Sequence, residues 1–153
     1  MIAVLQRVFS ARVFSNDVLT GEIGEGLYIL LGVISGDVDA DAIALAEKIS
    51  KLRIFSDDNG KLNLSLRDTS SEALVVPNFT LSANYSHGNR PEYFSAAKPD
   101  EAKRLFELFI SELRIRLKKV DSGVFGSNMR TEMSTNGPIT IVMDSSLLIG
   151  GNK

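Results

Sequence analysis

The sequence predicts an α/β fold of mixed α+β character, with sheet-forming segments around two principal helices. Three observations lead there. Residues 2–9 and 139–144 are strand-like at the two ends of the chain, the first alternating apolar and polar positions. Residues 27–34 are apolar on both faces, as expected of a central strand covered twice. Residues 39–51 and 99–117 carry apolar stripes at helical spacing.

After the first strand, residues 11–24 read as two short strands around Ser15-Asn16-Asp17, and Gly24-Glu25-Gly26 turns the chain into the central strand. The first helix places Ala42, Leu45, Ala46, Ile49 and Leu52 on one stripe. Asp37, Asp39 and Asp41 stand near the positive end of its dipole. A short strand at 52–55 follows, then a turn at 56–60, then Leu62, Leu64 and Leu66 in alternation. Ala73–Val76 forms another buried strand, interrupted by Pro77. Residues 82–98 are rich in Ser, Asn, Gly and Pro but also hold Tyr85, Tyr93 and Phe94, which suits a structured loop. Pro99 fits a first helical position, and Ala102, Leu105, Phe106, Phe109, Ile110, Leu113 and Leu117 face inward from the second helix. A strand near 129–133 precedes the last one. The tail beyond Ser145 carries no readable capping or turn signal. One domain spanning 1–153 accounts for the length.

Composition narrows the chemistry. Hydrophobic residues make up 44% and charged residues 24%, the profile of a soluble globular protein. The longest apolar run, 27–31, is too short to span a bilayer. The N-terminal segment lacks a signal peptide's basic region and cleavage site, so a cytoplasmic address is expected. With no cysteine, the chain has no thiolate nucleophile, disulfide or cysteine-type zinc site, and no metal or cofactor is expected. A Ser-His-Asp triad would have to use the single histidine, His87, which lies in a polar turn-like segment with nothing to orient it. The net charge of −2 argues against long contact with a nucleic-acid backbone, DNA included, but not against docking the end of an RNA. Arg114, Arg116, Lys118 and Lys119 are the candidate basic patch, or else cations complementing a helix C-terminus.

Gly137-Pro138, just before the last apolar run, reads by itself as a turn leading into a strand. Its neighbours give it more weight. The blocks Met1–Val8, Gly21–Gly24 with Leu31–Val33, Lys51–Phe55, Gly60–Ser65, Asn78–Leu81, Arg90-Pro91 and Asn136–Thr140 resemble, in order and spacing, the D-aminoacyl-tRNA deacylases over about residues 1–145. The resemblance implies mixed β-sheets forming a barrel-like layer with two main helices packed on them. It also implies a cytoplasmic homodimer that hydrolyses the ester between a D-amino acid, or glycine, and the 3′-terminal ribose of tRNA. The active site then lies at the subunit interface.

Two motifs meet there in the family. Pro77-Asn78-Phe79-Thr80 stands where Ser-Gln-Phe-Thr is usual, and Gly137-Pro138 matches a Gly-cisPro pair whose carbonyls enter the partner's site, grip the ligand's amino group and reject L-amino acids. Arg7 matches the arginine bracing the proline loop, and Ala102 and Met129 match pocket-lining positions. Backbone N–H groups near Phe79 and Thr80 are the expected oxyanion donors, with Thr80 Oγ1 in an orienting or structural role and the substrate's 2′-hydroxyl helping to activate water. Pro77-Asn78 departs from the usual motif by deleting an N–H and a hydroxyl and shortening a side chain. A related branch of the fold carries proline at that position and a Thr-Asn-Gly-Pro form of the second motif, like Thr135–Pro138 here. It holds the pair trans and corrects L-alanine mischarged on a threonine tRNA. Phe79, Ile139 and Arg7 resemble the ordinary deacylase more closely. A deacylase of relaxed chirality and a noncatalytic tRNA-end binder are the alternative readings.

Overall fold

A computed structural model describes residues 1–149. Eight strands occur in the order β1 (Ile2–Ser15), β2 (Val18–Ile23), β3 (Gly26–Gly32), β4 (Phe55–Ser56), β5 (Leu62–Leu64), β6 (Glu72–Pro77), β7 (Val120–Ser122) and β8 (Met129–Asp144). The helices are α1 (Asp39–Lys51), α2 (Leu66–Thr69), α3 (Pro99–Arg116) and α4 (Ser146–Ile149), with a 3-10 turn at Phe79–Ser82. The main sheet runs β2-β1-β3-β6-β7, with β8 along the other edge of β1. Pairing is antiparallel except for β3–β6 and β6–β7. The sheet curls until the Glu22 N–H of β2 reaches Asp121 Oδ2 of β7 at 2.9 Å, nearly closing a barrel. Gly21 permits this approach, because a Cβ there would stand 2.8 Å from Leu74 Cδ1.

Two cores follow from the two faces of this sheet. On one face Ala3, Leu5, Leu27, Ile29 and Leu31 pack against α1 and α3 through Leu45, Ile49, Leu105 and Phe109. Inside the barrel lie Val8, Ala11, Val13, Ile23, Tyr28, Leu74 and Val76. Each fully buried Leu, Ile, Val or Phe contributes roughly 1.5–3 kcal/mol. Both helices occupy their expected segments. Asp41 accepts the Val38 N–H at 2.9 Å to start α1, and Pro99 opens α3.

Several expectations are corrected. The segments 2–9 and 11–15 form one strand, because an extra residue at Phe9 bulges without breaking the pairing: Val8 pairs with Thr135 and Ser10 with Ser134. That residue shifts the alternation, so Ala11 and Val13 stay on the barrel side with Val8. Asn16 and Asp17, at φ 48° and 63°, then make the tight turn into β2. Likewise 129–133 and 139–144 belong to one strand, so Gly137-Pro138 is a bulge within β8 and not a turn before it. Gln6 pairs with Thr140 and Val8 with Thr135, which leaves residues 136–139 opposite Arg7 alone. The strand expected at 52–55 is reduced to Phe55–Ser56. Pro77 ends β6 and does not interrupt it, since it has no N–H to extend the ladder.

The tail also has local logic. Asp144 Oδ1 accepts the Ser146 N–H at 2.9 Å, which holds its carboxyl below the usual range. Buried Ser145 donates to Asp41 Oδ1 at 2.7 Å, and α4 follows. Residues 150–153 of the expected tail lie outside the described residues.

Candidate active site

The first motif sits where β6 ends. Asn78 donates its N–H to Leu31 O at 2.8 Å, and its side-chain Oδ1 accepts both the Thr80 N–H, at 3.3 Å, and the Thr80 hydroxyl. This is an Asx-type cap on the 3-10 turn, a closure made by the short asparagine side chain accepting from the residue two positions on. The residue that departs from the usual motif therefore builds the turn that presents Phe79. The Phe79 ring, 59% exposed, meets Tyr93 edge-on at 5.1 Å. Its backbone N–H, in the first position of the turn, has no acceptor among the described residues.

Pro77, Asn78 and Phe79 form one bank of a groove of about 520 Å³, and Phe125, Gly126, Ser127, Asn128 and Met129 form the other. Met129 thus lies in the groove. Ala102 does not. It is buried in the helical core one turn before Phe106, whose ring tilts onto Phe125 at 6.0 Å, so it stands behind the groove wall. The 125–128 bank was not anticipated from the sequence. Its one signal is the Gly123-Val124-Phe125-Gly126 bracket, where Gly126 takes φ +79° and turns the chain across the groove.

The second motif lines none of the grooves among the described residues. Arg7 Nε and Nη2 donate to the carbonyl and side-chain oxygens of Asn136, each at 3.2 Å, while Nη1 donates to Ile54 O at 2.8 Å. The guanidinium thereby clamps the bulge from behind. Gly137 and Pro138 stand exposed in front of it, joined by a cis peptide bond. Gly137 has φ +136°, and a Cβ there would lie 2.6 Å from the Ile139 nitrogen, so only glycine fits without strain. Eight residues of extended strand separate Met129 in the groove from Gly137, on the order of 25 Å. One chain does not bring its own two motifs together.

Ionisable side chains are scarce at the groove. His87 is exposed in the 82–98 loop, closed by Asn84 and Glu92, and is absent from the groove lining. Burial inside the barrel raises the Tyr28 phenol above its ordinary value, partly opposed by a hydrogen bond with Thr131, so Tyr28 remains neutral near pH 7. Among the described residues no group of three or more His, Cys, Asp or Glu is placed to hold a metal ion, and no helix is long and apolar enough to cross a membrane. The candidate basic patch is largely engaged within the chain. Arg116 pairs with Glu112, Lys119 reaches Glu72 at 3.2 Å, and Arg114 Nε and Nη2 each donate to Val120 O at 3.4 Å.

A family profile described as D-Tyr-tRNA(Tyr) deacylase matches residues 4–144. A D-aminoacyl-tRNA deacylase of Pelobacter propionicus is 45% identical over 144 residues, covering 94% of this chain and 99% of that one. One from Dehalococcoides mccartyi is 49% identical over 145 residues, covering 95% of each. Among solved structures, the c-Myc DNA unwinding element binding protein superposes with a TM-score of 0.88 at 33% identity, over 94% of this chain and 98% of that one. A probable eukaryotic D-amino acid tRNA deacylase gives a TM-score of 0.81 at 16% identity, over 93% and 97%, which is a likeness of fold.

Proposed function

Because the chain belongs to the D-Tyr-tRNA(Tyr) deacylase family, we propose that it is a D-aminoacyl-tRNA deacylase, a hydrolase that clears D-amino acids and glycine from the 3′-terminal ribose of tRNA in the cytoplasm. The observation that carries the reading is the unpaired Phe79 N–H, presented at a groove between the 77–79 and 125–129 banks.

The chemistry asks little of side chains. An aminoacyl ester is already activated, and water attacks its carbonyl carbon while the carbonyl electron pair moves onto oxygen. The Phe79 N–H receives that developing negative charge, joined by the Thr80 N–H when Asn78 releases it. Collapse of the tetrahedral species expels the ribose oxygen, which takes up the proton that the attacking water gives up. The substrate's own 2′-hydroxyl helps to orient the water. Positioning supplies much of the rate, as expected of a site without a histidine or carboxylate base.

Chirality is enforced by a second copy of the chain. Gly137 and Pro138 enter the partner's groove from across a two-fold axis, and their carbonyls take the amino group of a D-aminoacyl ester and leave no room for an L side chain. Two surface features support such a homodimer. In register across the sheet, Val142, Val4 and Leu30 form an apolar strip on the face turned away from the helices, and Val142 is 69% exposed. The outer edge of β8 pairs with no strand among the described residues.

A second reading, relaxed chirality toward L-alanine, draws on Pro77-Asn78, because the Asn78 side-chain Oδ1 is committed to Thr80 instead of the ligand. Hydrolysis rates on D-Tyr-, Gly- and L-Ala-tRNA separate the readings. The proposal expects turnover of the first two and protection of the third. Comparable turnover of L-Ala-tRNA favours relaxed chirality, binding of D-Tyr-tRNA without turnover favours an RNA-end binder, and inertness toward all three overturns the assignment.

A further inference from the structure

Beyond Phe125 the groove borders a second depression of about 410 Å³, between α3 and the segment after β7. Phe125 lines both. Phe106, Ile110 and Val124 give the depression apolar surface, Lys103 and Arg114 bring cations to it, and the Glu107 carboxylate lies on the same wall. The volume falls within the range of small-molecule sites, ~300–1,000 Å³. Val124 is 45% exposed, so apolar surface is open to a ligand.

The two cations differ in how they are held. Arg114 is anchored by Nε and Nη2 on Val120 O, which leaves Nη1 without an acceptor among the described residues. Lys103 stands 3.8 Å from Glu107 in a solvent-exposed pair, an interaction of little strength that an incoming phosphate can replace. An apolar surface with a fixed guanidinium and a movable ammonium suits one nucleotide: a base against the apolar side chains, a phosphate at the cations.

We propose that this depression seats the nucleotide immediately 5′ to the aminoacylated one, an inference that rests on the tRNA-deacylase reading above. It makes the enzyme a reader of a short single-stranded RNA end, in keeping with a net charge of −2 that suits few phosphate contacts.

The test compares two D-tyrosyl esters, one on full-length tRNA and one on adenosine alone, which lacks the preceding nucleotide. Lys103→Ala and Val124→Asp alter exposed positions outside the catalytic segments. Each is expected to raise KM for D-Tyr-tRNA about 5- to 10-fold, with kcat and hydrolysis of D-tyrosyl-adenosine unchanged. Lys103→Ala is also expected to flatten the salt dependence of tRNA binding by about 0.7 in log–log slope, one single-strand phosphate contact. Equal effects on both esters, or no effect on either, overturn the subsite. Wild-type inertness toward both esters instead overturns the deacylase reading, and the subsite with it.

Discussion

Pro77–Thr80 and Asn136–Pro138 are built on opposite plans. The first lies at a groove, holds a free backbone donor, and is shaped by a bond within its own turn, from Asn78 to Thr80. The second projects from a strand, lines none of the described grooves, and is held from behind by a side chain 129 positions away, Arg7. One has the form of a receptor and the other of a probe. The contrast teaches what the proposed function requires: in one chain the Phe79 donor has no Gly-Pro pair beside it, and the Gly-Pro pair faces no described groove. The two-fold assembly proposed above would join them without either segment having to move.

The sharpest way to break this division is to disable each half separately. Phe79→Pro deletes the donor N–H at a first-turn position that tolerates proline, and kcat is expected to fall roughly 10²–10³-fold. Phe79→Ala, which keeps the N–H, serves as the control. Gly137→Ala forces a Cβ against the Ile139 nitrogen and is expected to cost roughly 10²-fold in kcat/KM through misplacement of the gate. Mixing the two inactive variants and letting subunits exchange is expected to restore about a quarter of wild-type activity, because half the dimers are mixed and each mixed dimer holds one intact site. No recovery on mixing would place both motifs in one chain's site.

A smaller effect is expected from releasing the clamp. Arg7→Ala removes three donated hydrogen bonds, two of them to Asn136, and should lower the D-over-L selectivity about 10-fold while kcat on D-Tyr-tRNA changes less. Unchanged selectivity would show that the bulge holds its shape without the guanidinium. The smallest effect is expected at Thr80. Thr80→Ala removes one hydroxyl donated to Asn78, and kcat should fall about 2- to 5-fold if backbone donors carry the oxyanion. Complete loss with intact D-Tyr-tRNA binding would give the hydroxyl a direct chemical part.

The two regions also differ in how they appear in the sequence. The helices were legible because an apolar stripe at helical spacing survives in α1 and α3 without interruption. Strands β1 and β8 each look like two pieces in the sequence, since bulges at Phe9 and at 136–139 shift the alternation that marks a strand. Pro77 and Asn78 were visible as departures, but the Asx cap that gives Asn78 its role required the turn to be seen. The 125–128 bank carries no periodicity and joins Phe79 only through tertiary folding. The tie between Arg7 and Asn136 was legible through resemblance alone, because nothing local in either segment points to the other.

The four residues opposite Arg7 have a consequence for what the chain can tolerate. Before the bulge the odd-numbered side chains of β8, such as Met133, pack on the barrel interior; after it Ile139, Ile141 and Met143 pack on the helical core. The bulge is thus a phase shifter, and its length matters as much as its composition. Deleting or inserting a single residue between 136 and 139 would turn Ile141 and Met143 outward and drive Val142 toward the helices. Substitutions there leave that phase intact, whereas a one-residue change in length rewrites the last third of the strand.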